Sequence, residues 1–323
     1  MSGDTMQLRY SLCQKLHLQP AELMMLTVGI AAGIVDIMLI LSKGSEIDIP
    51  AYGGLLALIL LVIPLGMFYR LKGRSERIAS ALICTGAFIF FSACLSLFNY
   101  LLLPIVRPLI DVPIAQVDAL FGFYWPNVMA FAAENPIPTF ILKVAYMTTI
   151  PQFAMLVVIL GLSGRMRDLH VMITSVTITA TLTICFWGLF PTLGAKSMYI
   201  LTPEMWAAIN PIVNEEYAKD LLHIGEHGPG LISPKEIRGL IAFPSYHAVL
   251  AFTAIYAARN IPVLAQFFLV LNLLILPGIF IHGGHHLMDL PAGFAMFAFG
   301  TWLAARAVHS DYEHRGAPAF VAN

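Results

Sequence analysis

Long apolar runs separated by short polar segments make up most of this chain. A helix needs about 20 apolar residues to cross the hydrocarbon core of a bilayer, and eight segments reach or approach that length. The pattern therefore predicts an all-α, polytopic membrane helix bundle with about eight transmembrane helices. The sixth segment is short and begins with polar residues, which is typical of a partly buried helix whose outer end faces a polar cavity. The predicted spans are residues 21–42, 51–70, 78–104, 137–161, 169–190, 243–258, 262–281 and 286–308.

The positive charges of the connecting segments predict how the helices are oriented across the membrane. Cytoplasmic loops keep an excess of Lys and Arg, and the connections alternate between a side with eleven such residues and a side with six. Both termini are therefore predicted to be cytoplasmic, and the starts of spans six and eight extracytoplasmic. The richer side carries Arg9, Lys15, Arg70, Lys72, Arg74, Arg77, Arg165, Arg167, Arg259, Arg306 and Arg315, and the poorer side Lys43, Arg107, Lys196, Lys219, Lys235 and Arg238.

No internal repeat or soluble domain interrupts the apolar pattern. We expect residues 1–20 to form a cytoplasmic amino-terminal segment, residues 21–308 one membrane-embedded domain, and residues 309–323 a cytoplasmic tail. No small-residue cleavage site follows the first apolar run, so a removable signal peptide is not expected. Together with the lack of an N-x-S/T site, this favours a bacterial inner membrane.

Composition excludes other classes of protein. Only 11% of the residues are charged, against roughly 25% in soluble domains. A net charge of −1 provides no basic face for a nucleic acid, so that partner is not expected. Cys84, Cys94 and Cys185 fall within apolar runs and Cys13 near the amino terminus. We interpret the four as packing residues rather than as a disulfide framework.

Four polar residues lie where the bilayer should exclude them, and we take them as the candidate active site. Asp289 follows His285 by four residues, which on a helix brings the two side chains together. The carboxylate would hold the imidazole in one tautomer and strengthen its other nitrogen as a nucleophile. His247 would act as general acid and base. Ser245 and the amides that open helix six would hold a phosphate.

A phosphate site also needs cations, and three residues are candidates. Arg238 precedes Pro244 by six residues on the outer side, and Lys235 precedes Arg238 by three. Lys143 lies just inside the outer end of span four, where it would either line the cavity with Tyr146 and Gln152 or extend to the membrane surface. The plainer interpretation of Arg238 and Lys235 is solvated loop charge.

Clustered histidines raise an alternative chemistry. His282, His285 and His286 with Asp289 would suit zinc or a redox metal. On a helix, however, His286 points about 100° away from His285, so the two do not easily share an ion. We therefore expect no metal and no other cofactor, and interpret His286 as structural or headgroup-facing.

Two long outer connections, residues 105–136 and 191–242, contain Trp125, Trp206 and several prolines. The stretch VDALFGFYWPNVMAFAAENP mixes apolar and polar residues in a way typical of a helix lying in the membrane interface. A lid over the site and plain surface packing are equally open interpretations.

At FPSYH (243–247) and HHLMD (285–289) the sequence resembles the type 2 phosphatidic acid phosphatase superfamily, whose second and third motifs centre on PSxH and HxxxD. It is most similar to the branch that contains the inositol phosphorylceramide synthases, and DALFGFYW, LKVAYMTTIPQ and LFPTLGA extend the similarity loosely over residues 105–308. The resemblance implies a core like that of the phosphatidic acid phosphatases and haloperoxidases. It also implies that His285 is the nucleophile, Asp289 its partner, His247 the acid/base and Ser245 a phosphate ligand.

The chain departs from the common pattern of that superfamily in its phosphate clamp. Many of these phosphatases have KxxxxxxRP before the second motif and an SR pair before the HxxxD histidine. Here the SR positions are Gly278 and Ile279, and the nearest fragment to the first motif is YLLLPIVRP, which lacks the lysine. The clamp therefore cannot be carried over from the superfamily.

These observations predict an integral membrane lipid phosphatase or phosphotransferase that acts at the extracytoplasmic face through a phosphohistidine. The expected partners are a phosphorylated lipid and the membrane lipids, and the sequence leaves the oligomeric state open. An alternative is transfer of a phospho-headgroup to a lipid alcohol, as in inositol phosphorylceramide synthases. A proton-coupled transporter is more remote, because no inverted repeat or pair of broken helices is evident.

Overall fold

The computed structural model describes residues 18–314, and this part of the chain is helical, without a β-strand. Arg9, Lys15, Arg315 and Cys13, and with them most of the two predicted terminal segments, lie outside the described residues. The helices are α1 (Pro20–Lys43), α2 (Ile49–Leu71), α3 (Glu76–Leu101), α4 (Asp111–Leu120), α5 (Trp125–Glu134), α6 (Pro136–Met147), α7 (Thr149–Leu162), α8 (Met166–Leu189), α9 (Pro203–Ile209), α10 (Glu215–His227), α11 (Tyr246–Ala258), α12 (Pro262–His282) and α13 (Asp289–His314).

Helices α1, α2, α3, α8 and α12 are each long and apolar enough to cross a membrane. The pair α6 and α7 becomes a sixth candidate when it is counted as one span. These helices indicate an integral membrane protein. The predicted number of eight also included α11, which is apolar but has only 13 residues, and α13, which is not among the helices that qualify.

Three predicted spans differ from the observed helices in ways that matter for the site. The span predicted at 78–104 ends at Leu101, before the sequence Leu-Leu-Pro. The span predicted at 137–161 is broken at Thr148, where its two halves are bent by 47°. The span predicted at 286–308 begins only at Asp289, so residues 283–288 form a loop.

Small residues let the long helices approach closely. An added Cβ at Gly66 of α2 would lie 2.7 Å from Ile83 of α3, and one at Gly161 of α7 would lie 2.7 Å from Ala81 of α3. Close backbone approach of this kind is the usual basis of helix association in membranes, where burial of apolar surface supplies little driving force. Helix α3 therefore joins α2 to α7 within the bundle.

Helices α8 and α13 run antiparallel and define the two ends of the molecule. The hydroxyl of Tyr312 contacts Nδ1 of His170 at 3.1 Å near one end, and Ser175 contacts Thr301 at 2.8 Å further along. The end of α8 therefore lies at the same level as the start of α13. The start of α11, which packs against α8, α12 and α13, lies there too. This end carries the candidate site.

The described cysteines are free. Cys84 is buried, Cys94 is half-buried and Cys185 is exposed on α8. The outer connections contain their own short helices: α4 and α5 lie in the first, and α9 and α10 in the second. The stretch predicted as one interfacial helix is thus two helices, and Asp118 of α4 points into the bundle rather than to its surface.

Candidate active site

His285 and Asp289 form the contact that their spacing predicts, but by a different route. Nδ1 of His285 lies 2.8 Å from Oδ2 of Asp289, and both side chains are buried. His285 lies in the loop before α13, so the pair is not made on one face of a helix. The loop instead folds round the carboxylate, since the backbone N–H of His286 also donates to Oδ2 of Asp289, at 2.9 Å.

Asp289 is fixed to the start of α11 by its backbone. The N–H of Ser245 donates to the carbonyl of Asp289 at 3.0 Å. One turn further along α13, an added Cβ at Gly293 would lie 2.6 Å from the carbonyl of Ser245, so only glycine permits this approach. Ser245 caps α11, because its Oγ accepts from the N–H of Ala248 at 3.3 Å. The two signature motifs are therefore joined by backbone contacts.

His247 lies in the first turn of α11 and faces His285. The centres of the two rings are 6.4 Å apart and the rings meet edge to face. On its other side, the imidazole of His247 stacks on Tyr146 of α6, with ring centres 4.5 Å apart. His247 is half-buried, whereas His285 is almost fully enclosed. Tyr146 therefore holds His247, the more exposed of the two histidines, against the enclosed His285.

Lys196 supplies a cation beside the two histidines. Its side chain is buried, and Nζ donates to the carbonyl of Gly283 at 3.1 Å. The stem packs on Gly284, which has φ +66°, and an added Cβ there would lie 2.7 Å from Cβ of Lys196. An ammonium has three donors, so Lys196 has hydrogens left for a phosphate oxygen.

The same loop is held from outside by two carboxylates of α4. Asp118 accepts from the N–H groups of Leu287 and Met288, at 2.9 and 3.0 Å, and contacts Nδ1 of His286 at 3.2 Å. Asp111 accepts from the N–H of Gly194 at 2.7 Å and lies 3.5 Å from Nε2 of His286. His286 is therefore buried between two carboxylates. This agrees with a structural role and not with a headgroup-facing one.

Lys196, Asp111 and Asp118 were not among the site residues predicted from the sequence. The two aspartates are seven residues apart, which places them on one face of a helix, and that spacing was a usable signal. No such signal marked Lys196, because its position depends on how residues 191–242 fold back onto the loop. It had been counted only as one of the charges of the outer side.

Burial and charge set the protonation states of the groups in these connections. Burial, aided by the charge of Lys196, lowers the pKa of His285 well below its usual value. For His286, burial acts in the same direction but is outweighed by Asp111, Asp289 and Asp118, so its pKa is raised. Burial lowers the pKa of Lys196 to about 8, although Asp289 and Asp111 oppose it. Near neutral pH, the imidazole of His285 is thus uncharged.

The cations predicted from the sequence make other contacts. Arg238 forms an ion pair with Asp220 at 2.6 Å and lies over the ring of Tyr217. Nζ of Lys143 donates to the carbonyl of Asn210 at 2.6 Å. Lys235 is exposed, and its backbone N–H donates to Ser233. In the described part of the chain, Lys196 is the lysine whose charge acts on both His247 and His285.

The three clustered histidines turn to three different partners. His285 contacts Asp289, His286 contacts Asp118, and Nε2 of His282 lies 3.0 Å from the carbonyl of Thr139. Among the described residues, these rings do not converge as a set of metal ligands.

The pKa of Lys196 predicts how activity depends on pH. Lysine is charged below its pKa, so kcat/KM for a phosphorylated substrate is expected to fall as the pH rises through about 8. Lys196→Met is expected to lower kcat/KM by roughly 10²-fold at neutral pH, the usual cost of losing one group that stabilises developing charge, and to remove this alkaline decline. The pH profiles of the wild type and of Lys196→Met, measured side by side, check both statements.

Lys219→Met on α10 is the matched control, because Lys219 is exposed and pairs with Glu215 in its own helix. It is expected to leave the profile unchanged. An alkaline decline that persists in Lys196→Met would show that another group titrates.

A family model, that of the PAP2 superfamily, matches residues 112–303. The match covers more than half of the chain and spans both signature motifs, whereas α1, α2 and α3 lie before it. Neither the curated proteins nor the solved structures give a match.

Proposed function

We propose that this chain, which belongs to the PAP2 superfamily, is a membrane enzyme that transfers the phosphoryl group of a lipid through a phosphohistidine at His285. The observation that carries the proposal is one arrangement. A neutral, buried imidazole is held by Asp289 at 2.8 Å, faces a second histidine from another helix, and lies beside a buried lysine.

In the first step, Nε2 of His285 attacks phosphorus, because Nδ1 is occupied by Asp289. The bond from phosphorus to the leaving oxygen breaks as the N–P bond forms, and His247 gives its proton to that oxygen. The Nδ1–H of His285 stays on the ring, where Asp289 stabilises the positive charge that develops. Lys196 donates to the phosphoryl oxygens, whose negative charge would otherwise be costly in so buried a site.

In the second step, an acceptor hydroxyl attacks the phosphohistidine. His247, now uncharged, takes the proton of that hydroxyl, and the N–P bond breaks to return His285 to its starting form. Either of two acceptors completes the reaction: water gives hydrolysis, and a lipid alcohol gives transfer. The same residues serve both reactions.

The enclosure of His285 supports transfer to a lipid alcohol as a second candidate. Its side chain is only 3% exposed and that of Asp289 is not exposed at all. A phosphohistidine formed there would be shielded from bulk water, which is what an enzyme needs if an alcohol is to compete as acceptor. A phospho-headgroup transfer like that of inositol phosphorylceramide synthases fits this enclosure.

The sidedness of the reaction belongs to the same proposal. The charge asymmetry of the connections supports an extracytoplasmic site with both termini cytoplasmic. The lack of an N-x-S/T site supports a bacterial inner membrane. The proposed substrate is a phosphorylated lipid within that membrane.

The test is an assay of the purified full-length chain in detergent, with EDTA present. It compares phosphate release from lipid and polyprenyl phosphates with headgroup transfer from a phospholipid donor to diacylglycerol or ceramide. Phosphate release without an added alcohol would establish a phosphatase. Product that forms only with the alcohol would establish a transferase. Neither activity with any donor, from protein that elutes as a single folded species, would overturn the proposal.

A further inference from the structure

A second cluster of reactive side chains lies at the end of the bundle opposite to His285. Glu22 at the start of α1, Cys84 in α3 and His170 near the start of α8 each present one potential ligand atom. These atoms all lie within 4.8 Å of one another. All three side chains are buried, at 0%, 0% and 3% exposure. The proposed phosphoryl-transfer chemistry uses none of them, and two of the three lie outside the matched family region.

We propose that Glu22, Cys84 and His170 bind one zinc ion. A thiolate, an imidazole and a carboxylate are the donor types that zinc takes in proteins, usually in tetrahedral sites. The three ligands would join three helices from distant parts of the chain, and a water molecule would complete the tetrahedron. The site does not depend on the proposed enzymatic function.

Glu22 retains the capacity to act as a ligand although it is already paired. Its Oε2 accepts from Arg70 at 2.7 Å and from the N–H of Gln19 at 2.8 Å. Its Oε1 accepts from Arg70 at 2.8 Å. A carboxylate oxygen has two lone pairs, so Oε1 can bind a cation while Arg70 stays in place and fixes the carboxylate.

The charges of the cluster balance when zinc is bound. Arg70 pairs with both Glu22 and Glu76, at 2.7 Å in each case, which leaves one net negative charge. Zinc binding requires the thiol of Cys84 to lose its proton to solvent as the Zn–S bond forms. The added ion and thiolate together contribute one positive charge, so the four charged side chains and the ion sum to zero, with the charge of Glu76 on the exposed side of the cluster.

Neighbouring side chains orient His170 and the arginine that holds Glu22. The hydroxyl of Tyr312 contacts Nδ1 of His170 at 3.1 Å, which fixes the orientation of the ring. Ser80 accepts from Arg70 at 3.0 Å and donates to Glu76 at 3.1 Å. Contacts of this kind around the ligands are a regular feature of protein metal sites.

The experiment measures the metal content of the full-length protein by mass spectrometry after purification and after dialysis against zinc. We expect about one zinc per chain in the wild type, and less than a tenth of that in Cys84→Ser and His170→Ala. Cys185→Ser is the matched control, because Cys185 is an exposed cysteine, and it is expected to keep its zinc. Wild-type protein that holds no zinc after dialysis would overturn the proposal and leave a plain ion-pair network.

A second measurement needs no variant and so does not depend on whether the variants fold. Cobalt added to metal-free wild-type protein is expected to give a thiolate-to-cobalt charge-transfer band that saturates at one equivalent. A band that is absent would count against Cys84 as a ligand.

Discussion

Replacing His285 with alanine is expected to abolish turnover, with a loss of at least about 10⁴-fold in kcat, as for other enzymes that lose their nucleophile. The reason is that the described site offers no substitute for Nε2 of His285. His247 faces it with ring centres 6.4 Å apart but has no carboxylate on its other nitrogen in the described structure, and His286 is occupied by Asp118 and Asp111. The measurement is the rate of product formation under the conditions that give activity in the wild type.

Covalent labelling makes this prediction specific. With a donor that is labelled at phosphorus and has an activated leaving group, which needs no general acid in the first step, His247→Gln is expected to retain label on the protein because the second step lacks its base, whereas His285→Ala is expected to take none. His223→Ala, at an exposed histidine of α10, is the control for substitution itself and is expected to keep full activity. Label on His285→Ala would show that another residue is the nucleophile.

Replacing Asp289 with asparagine is expected to lower kcat/KM by about 10⁴-fold, the loss seen when a carboxylate that orients a catalytic histidine is made neutral. The amide retains an oxygen for the N–H of His286 but loses the charge that stabilises the phosphorylated imidazole. The measurement is kcat/KM together with the temperature of unfolding, since the substitution changes few atoms and is expected to shift stability little.

Asp118→Asn separates this catalytic effect from simple loosening of the loop. Asp118 also holds the loop through two backbone N–H groups, but it does not contact His285. Its loss is expected to lower stability by about 1–3 kcal/mol and to reduce the rate much less than Asp289→Asn does. Equal losses of rate in both variants would mean that Asp289 acts only by positioning the loop.

The fold was predictable where a single period of hydrophobicity extends over a whole helix. All eight predicted spans correspond to helical segments, and α1, α2, α8 and α12 agree closely in their bounds. The contact between His285 and Asp289 was predictable as well. A spacing of four residues brings two side chains together in a helix, and it also does so in this loop, which folds round the carboxylate.

What the sequence could not show depends on contacts between distant segments. The bend at Thr148 is an exception, because Pro151 follows three residues later and prolines of this kind kink helices, a signal that the prediction of one span did not use. Lys196 reaches the site only because Gly194 and Gly284 let the backbone of the outer connection lie against the loop. Arg238 was predicted to bind phosphate because it is near Pro244 in sequence, but its guanidinium pairs with Asp220 of α10. The catalytic roles themselves stay predictions until the variants are measured.

The short length of α11 bears on how a substrate would arrive. Thirteen residues make a helix about 20 Å long, roughly 10 Å less than the hydrocarbon core. Its far end is tied to polar groups, because Arg259 pairs with Asp168 at 3.0 Å. Placing that end at one membrane surface would leave His247 roughly 10 Å below the other. For the phosphorylated lipid that we propose as substrate, we therefore expect lateral entry from the bilayer rather than diffusion from water.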